Sequence, residues 1–319
     1  MEGARKDSLP DFIQPALALL SESPPTGNNW LHEIKYDGYR LQARLDSGKA
    51  KLLTRKGLDW TKRFPSIARI LEYLPLDTAL LDGELIVEDE NGVSSFSGLQ
   101  SDLKGKRHHR MAYMVFDIMY CNGFNLTGAT QLARKGALQS VLNDLPPNSP
   151  VRYSEHLDSS GKELLTHACR LGLEGIVSKQ ANAKYVSGRA GQWIKAKCNQ
   201  RQEFVIVGYV PSTASRLAIG SLVLGYYEKG VLVHAGRVGT GFSNDLAVDL
   251  KKTLEALEAP QPKFKSPVAA GHRRGVKWVE PKLVAVVEYR GWSADNLLRQ
   301  SSFKGLREDK PAKEIRREQ

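Results

Sequence analysis

The stretch Trp30-Leu-His-Glu-Ile-Lys-Tyr-Asp-Gly-Tyr-Arg40 constrains the fold more than any other part of the chain. Trp30, Leu31 and Ile34 read as buried positions of a strand, which breaks at Asp37-Gly38 and resumes as Tyr39 to Asp46. An Asp-Gly pair between two strand-like runs predicts a hairpin, because glycine accepts positive φ without a Cβ clash. Lys35 is the position that needs explaining: a cation at the end of an apolar strand, two residues before the Asp37 carboxylate. A plain surface hairpin would carry the same residues, so the remainder of the chain decides.

Downstream, 51–55 is a short strand, followed by a helix with Phe64, Ile67, Ile70, Leu71 and Leu74 at three-to-four spacing and Pro75 as its stop. Residues 79–87 and 111–120 are buried strands; the first carries Asp82 and Glu84, the second Asp117. Helices are predicted at about 131–143, with Leu132, Leu138, Val141 and Leu142 as the apolar face, and at 161–172, with Leu164, Leu165, Ala168 and Cys169. Residues 175–179 and 192–197 are short strands ending in lysines. This alternation makes the fold class α+β. After Asn199 the texture changes to β-runs at 204–210, 220–228, 231–238 and 283–289, with a hairpin turn at Glu228-Lys-Gly230 and one helix expected from Asn244, as cap, to Leu257. About five strands and one helix suit a small Greek-key β-barrel of the OB-fold type. The expected division is an N-terminal arm at 1–29, a first domain at 30–200 and a barrel domain at 201–319, the two domains facing across a cleft.

Composition narrows the classes of function. No apolar run reaches the roughly 20 residues that span a bilayer, and the start Met1-Glu-Gly-Ala-Arg-Lys-Asp-Ser8 lacks the apolar core of a signal peptide, so export and a membrane partner are not expected. Cys121, Cys169 and Cys198 are odd in number and far apart, the usage of free thiols in a reducing compartment, and offer no metal-ligand spacing. The histidines form no ligand pattern either, and His108-His109 sit in a basic loop, so no structural zinc is expected. Lys and Arg number 46 against 35 Asp and Glu, and the resulting +11 favours a polyanionic partner. Nucleic acid leads membrane, because no basic amphipathic helix stands out.

Buried strand-end carboxylates are costly unless a cation, a hydrogen-bond network or a metal compensates them. Glu84, Asp117 and Glu174 are such carboxylates, and ion pairs with neighbouring lysines would satisfy any one of them. Together with Lys35, Lys179, Lys195 and Lys197 they point to a phosphate-and-metal site; magnesium needs one or two carboxylates, since phosphate and water complete its shell. Neither G-x-x-x-x-G-K-[ST] nor G-x-G-x-x-G is present, so the phosphates must be held on another scaffold. A lysine nucleophile must be neutral, which costs about 4.6 kcal/mol at pH 7 from a reference pKa near 10.4. Lys195, Lys197 and a bound cation would lower that cost, with the cation dominant, and Asp37 would raise it.

These residues resemble a known superfamily. Lys35-Tyr-Asp-Gly-Tyr-Arg40 is similar to the K-x-D-G-x-R signature of ATP-dependent DNA ligases and mRNA capping enzymes. Thr54-Arg-Lys-Gly57, Asp82-Gly-Glu84, Val115-Phe-Asp117, Glu174-Gly-Ile-Val-Ser-Lys179, Trp193-Ile-Lys-Ala-Lys197 and Arg307-Glu-Asp-Lys310 follow in the family's order. The flanks, among them Arg55-Lys-Gly-Leu-Asp-Trp-Thr-Lys-Arg-Phe-Pro65 and Gly236-Arg-Val-Gly-Thr-Gly-Phe242, resemble the ligase module of bacterial ligase D and its stand-alone relatives in non-homologous end joining, from about residue 9 onward.

The resemblance implies a nucleotidyltransferase (adenylation) domain followed by a small OB-fold domain, and a ligase that works through a lysyl-AMP intermediate. Lys35 would attack the α-phosphorus of ATP, Glu33 would meet the adenine amine, and Phe116 would stack on the base. Arg40 and Arg55 would hold ribose and phosphate, with Lys179 also on the nucleotide; Glu84 would meet the ribose or the metal, and Glu174 the metal. Lys195 and Lys197 would neutralise the α-phosphate, and Arg307 and Lys310 would orient the departing pyrophosphate. Asp37 would tune the lysine, bind metal through water or shape the turn. Implied partners are ATP, Mg²⁺ with Mn²⁺ as its substitute, nicked or broken duplex DNA and a Ku-type end-binding protein, for a monomer in the bacterial cytoplasm associated with the nucleoid through DNA. Alternatives are an RNA ligase or GTP-using capping enzyme, and an inert DNA-end-binding module.

Overall fold

The computed structural model describes residues 1–105, 110–157 and 160–318, so His108 and His109 lie outside the described residues. The chain forms two compact units, Met1–Cys198 and Asn199–Gln319.

The first unit contains two sheets. The larger runs Arg5–Lys6, Phe124–Asn125, Met111–Cys121, Thr78–Val87, Tyr39–Asp46 and Lys49–Thr54, with Val151–Tyr153 added in parallel to Met111–Cys121. The smaller runs His156–Leu157, Trp30–Ile34, Gly175–Gln180, Trp193–Lys197 and Leu19–Ser21. The arm is thus partly regular: Leu19–Ser21 pairs in parallel with Ile194 to Ala196, and the Leu17 N–H donates to the Gly188 carbonyl at 2.8 Å.

The expected hairpin does not form. Trp30–Ile34 and Tyr39–Asp46 belong to different sheets, and Asp37-Gly38 is the crossover between them. Gly38 serves close approach, not positive φ: a Cβ there would lie 2.0 Å from the Leu85 carbonyl oxygen. Asp37 anchors the crossover to the start of the helix Phe96–Lys104, its Oδ2 accepting from the Phe96 N–H at 3.2 Å and its own N–H donating to Ser94 Oγ at 3.1 Å. An acidic group at a helix N-terminus also meets the positive end of the macrodipole. Local turn chemistry reads the same for both topologies, which is why the Asp-Gly signal misleads.

The helix Gln131–Leu142 starts where Thr130 Oγ1 accepts from the Ala133 N–H at 3.2 Å. Leu138 and Leu142 of its predicted face are buried, but Leu132 is exposed, and Arg134 and Lys135 are fully buried beside them. The helix Gly161–Arg170 lays Leu164, Leu165 and Ala168 on Ile34, Ile176 and Ala196 of the smaller sheet. Cys169, on the outer side of that helix, is disulfide-bonded to Cys198, which corrects the expectation of three free thiols; Cys121 alone keeps one. A sequence separation of 29 hid their proximity, since antiparallel return of the chain brings the Cα atoms to 5.1 Å.

The second unit is a curled sheet in the order Val231–Val238, Ile219–Glu228, Gln200–Pro211, Val284–Tyr289 and Ser302–Arg307, with Lys277–Trp278 also on Gln200–Pro211. Among the described residues its ladder is an open path, as in the partly open barrel of an OB-fold; Phe303 N–H donates to the Thr240 carbonyl at 2.9 Å between its two ends. The last strand, Ser302–Arg307, escapes sequence reading because Lys304 and Gly305 interrupt its apolar alternation. The helix Asn244–Glu255 packs Leu250 and Leu254 into the core. Its cap is Ser243, whose Oγ accepts from the Leu246 N–H at 3.3 Å; Asn244 is already the first helical residue. Among the described residues no helix is long and apolar enough to cross a membrane.

Candidate active site

Strand alternation gathers the candidate residues of the smaller sheet on one face. Val177 stands opposite Glu33 on one side and opposite Lys195 on the other, and Gly175 stands opposite Lys197. Because side chains alternate, Glu33 and Lys35 share a face with Val177 and Lys179 and with Trp193, Lys195 and Lys197. His32, Ile34, Ile176 and Ala196 take the reverse face, under the helix. Gly175, at φ 146°, lets the ladder reach the lysine: its carbonyl accepts from the Lys35 N–H at 2.9 Å, and a Cβ would lie 2.1 Å from the Ala196 oxygen.

Lys35 Nζ donates to Glu174 Oε2 at 2.5 Å, and Lys197 Nζ lies 4.0 Å from Glu174 Oε1. Burial alone would lower the Lys35 pKa, but the attraction and hydrogen bond of Glu174, then Glu84 and Asp37, outweigh it and hold the ammonium above its ordinary value. Asp37 therefore shapes the crossover and also favours the protonated lysine. Glu84, half-buried on Thr78–Val87, sits opposite Arg40 in the larger sheet. Glu84 and Glu174 thus bring hard oxygen donors to Lys35 from two different sheets. Among the described residues no group of three or more His, Cys, Asp or Glu gathers as a metal site. Two carboxylates fit Mg²⁺, which takes its other ligands from water and phosphate.

Glu33 lies deeper. Its Oε2 accepts from Lys179 Nζ at 2.9 Å and from Ser154 Oγ at 3.2 Å, and its Oε1 is 2.9 Å from Lys179 Nζ and 3.2 Å from Lys135 Nζ. Burial lowers the Lys179 pKa to about 8, Lys135 adding repulsion, although Glu33 pulls the other way. The Lys179 ammonium also donates to the Phe116 carbonyl at 3.2 Å and sits 4.5 Å from the Phe116 ring centroid and 4.4 Å from that of Trp193. Phe116 is half-buried between the two sheets, packed with Trp193 and Val177. The Arg40 guanidinium also lies over its ring, 5.3 Å from the centroid, and Trp193 meets it edge-on at 5.9 Å.

Arg40, expected at ribose or phosphate, has its fork on Asp82. Nε and Nη2 donate to Oδ1 and Oδ2 at 3.0 and 2.6 Å, and Nη1 donates to the Ala16 carbonyl at 2.6 Å. Such a bidentate pair is among the stronger charge-assisted arrangements. Asp117 is likewise structural: Arg134 donates to both its oxygens at 2.8 and 3.0 Å, and this holds the carboxyl below its ordinary pKa against the opposing effect of burial. Arg55 follows Thr54, the residue opposite Leu41, which leaves it beside Arg40 at the same end of the strand pair. Arg307 and Lys310 lie in the second unit, where Arg307 Nε donates to Asp309 Oδ1 at 2.7 Å and Lys310 pairs with Glu203.

Lys135 and Ser154 escape sequence reading. The one available signal was the need of Glu33 and Asp117 for buried counter-charges, which Arg134-Lys135 on the nearest helix supplies.

Residues 18–197 match the family described as ATP dependent DNA ligase domain, and residues 215–310 match ATP dependent DNA ligase C terminal region. The multifunctional non-homologous end joining protein LigD of Pseudomonas aeruginosa is 42% identical over 317 residues, covering 97% of this chain but 37% of that protein. The chain therefore spans a little over a third of the length of that curated relative. A solved structure of mycobacterial DNA ligase D complexed with ATP and MES is 33% identical, superposes with a TM-score of 0.71, and covers 97% of this chain and 99% of its own. The ligase domain of LigD from M. tuberculosis is 34% identical at a TM-score of 0.52, with the same coverage. With more than half of its residues matched to one family model, the chain belongs to the ATP-dependent DNA ligase family.

Proposed function

We propose that the chain seals breaks in duplex DNA by carrying AMP on Lys35. The observation that supports this best is the shared face of Glu33, Lys35, Lys195 and Lys197, with Glu84 and Glu174 beside the nucleophile. In the first step the Lys35 Nζ lone pair attacks the α-phosphorus of ATP, the N–P bond forms, and the bond to pyrophosphate breaks. A 5′-phosphate oxygen at the break then takes AMP, breaking the N–P bond. Finally the 3′-hydroxyl oxygen attacks the 5′-phosphorus, and AMP leaves as the phosphodiester forms. Phosphoryl and nucleotidyl transfers depend mainly on positioning and charge neutralisation.

Each side chain then has a task. Glu33 accepts from the adenine amine, Phe116 stacks on the base, and Lys179 supports both. Lys195 and Lys197 face the α-phosphate. Arg55 reaches the phosphates, and Arg40, fixed by Asp82, forms the wall beside the sugar. Glu84 and Glu174 would hold Mg²⁺ or Mn²⁺, which supplies positive charge at the phosphates and offsets the carboxylates that favour the Lys35 ammonium. The excess of lysine and arginine engages the DNA backbone without reading its sequence. Work on broken ends beside a Ku-type end-binding protein, at the nucleoid of a bacterial cytoplasm, completes the reading.

The test is incubation with the divalent cation and ATP or GTP labelled at the α-phosphate. ATP labels the chain in a bond that survives alkali and is released by acid, as a phosphoramidate is; GTP does not label it, and Lys35→Ala removes the label. Label that survives in Lys35→Ala sinks the assignment. Nick binding should weaken steeply as salt rises to physiological strength, and a flat response contradicts backbone recognition.

A further inference from the structure

Lys135 has no exposed surface and takes no part in the group around Lys35, yet it is a cation in the dry interior of the first unit. Its ammonium donates to the Ser154 carbonyl, lies 3.2 Å from Glu33 Oε1 and sits 4.2 Å from the centroid of the Tyr153 ring. Ser154 is held at both ends, its carbonyl by Lys135 and its hydroxyl on Glu33 Oε2 at 3.2 Å. Strand Trp30–Ile34, helix Gln131–Leu142 and the segment carrying Ser154 therefore meet at one carboxylate.

The balance of charge is unusual for a purely structural pair. Arg134, Lys135 and Lys179 set three cations against the carboxylates of Asp117 and Glu33, all almost wholly buried. Asp117 is taken up by Arg134, which leaves Glu33 between two ammoniums. Aromatic rings, whose faces are electron-rich, receive both: Tyr153 for Lys135, and Phe116 and Trp193 for Lys179. Glu33 Oε1 makes no well-aligned hydrogen bond among the described residues, although the Lys179 and Lys135 ammoniums lie 2.9 and 3.2 Å away. Its charge is offset by the two cations, while a lone pair is left for a further donor.

We infer that Lys135 is a positioning residue for base specificity: with Ser154 and Lys179 it fixes the Glu33 carboxylate so that a lone pair is offered to the exocyclic amine of the nucleotide. The inference rests on the reading of Lys35 as the acceptor of AMP. An ionised carboxylate only accepts hydrogen bonds. A 6-amino purine donates to it, whereas a 6-oxo purine sets a second acceptor against it and leaves both unpaired. Glu33 and Lys35 are two residues apart on one strand face, about 7 Å along the strand, so one nucleotide can reach both. Lys179 holds Glu33 from within the sheet, and Lys135 holds it from the helix, which sets the direction of the carboxylate as well as its charge.

The experiment uses the full chain and follows uptake of labelled AMP or IMP from ATP and from ITP, its 6-oxo counterpart, for the wild type, Lys135→Met and Lys135→Gln, with thermal unfolding recorded alongside. The wild type should prefer ATP. Lys135→Met should lower the ATP-over-ITP preference by about tenfold, the value of one hydrogen bond to a charged group. The change should come through a raised KM for ATP, with kcat within about threefold. Lys135→Gln, which keeps a donor for the Ser154 carbonyl, should fall between. A wild type that takes both nucleotides equally, folded variants that keep the wild-type preference, an equal fall for both nucleotides, or failure of both variants to fold each overturns the inference. If the wild type acquires no nucleotide on Lys35, the proposed function fails; if it does and the variants discriminate normally, only the role of Lys135 falls.

Discussion

The ammonium of Lys35 lies 2.5 Å from Oε2 of Glu174, the residue that leads into the neighbouring strand. The pair joins two elements about 140 positions apart in the chain, and it stabilises the protonated form of the side chain proposed as the nucleophile. Glu174 thus aims Lys35 and opposes its reaction until positive charge enters the site. Glu174→Gln should keep the aim and lose the charge. Its single-turnover AMP uptake is expected to fall by about 10- to 100-fold, because a neutral amide would hold the divalent cation at the phosphates less tightly, while Lys35→Ala gives none. Wild-type rates in Glu174→Gln would contradict a role for this carboxylate.

Arg40 and Asp82 form a second pair whose worth is structural. The Asp82 side chain is fully buried, and Tyr185 Oη also donates to it at 3.3 Å. Removing one partner of a buried pair leaves the other uncompensated, at a cost of about 3–5 kcal/mol. Asp82→Ala should lower the denaturant midpoint of the first unit accordingly, with unfolding followed by tryptophan fluorescence. A loss below about 1 kcal/mol would mean that Arg40 finds another acceptor.

Cys169 and Cys198 close a loop across a sequence separation of 29. On chain-entropy grounds such a cross-link stabilises by about 3 kcal/mol. Dithiothreitol should lower the unfolding midpoint of the wild type, and Cys169→Ser should start low and ignore the reductant. Equal midpoints for oxidised and reduced wild type would show that native contacts alone bring these ends together.

His234, in the second unit, is lowered to a pKa of about 4 by burial, with repulsion from His272 and Arg237 adding to it. It packs edge-on to Phe264 at 6.2 Å between centroids, and its Nε2 has no hydrogen bond among the described residues. Unfolded, the ring takes its proton near pH 6.5. Between those values the unfolded chain binds more protons, so stability present above pH 6.5 is lost as pH falls toward 4. His234→Phe should remove that part of the slope. The comparison is of denaturant midpoints for the two proteins across this range; parallel curves would refute it.

Much of the fold was legible because it rests on local periodicity. The strands around Glu84, Asp117 and Lys197 and the helix around Leu250 follow from spacing alone, and the ordered motifs from Lys35 to Lys310 identified the family before any coordinates. The misreadings share one origin. Asp37-Gly38 has the same local chemistry in a hairpin as in a crossover, and the choice between them was made by Gly175–Gln180, which pairs with Trp30–Ile34, and by Thr78–Val87, which pairs with Tyr39–Asp46. Arg134 and Lys135 look like solvent-facing charges until Asp117 and Glu33 are placed against them.

By itself, then, the sequence determined most of the strands and helices and the family to which the chain belongs. Tertiary structure alone decided which sheet each strand joins, which charges are buried together and which cysteines meet. Alternation along a strand is a property of neighbouring residues, whereas hydrogen-bond pairing and charge compensation are settled between residues far apart in the chain, where burial makes an unpaired group too costly to keep.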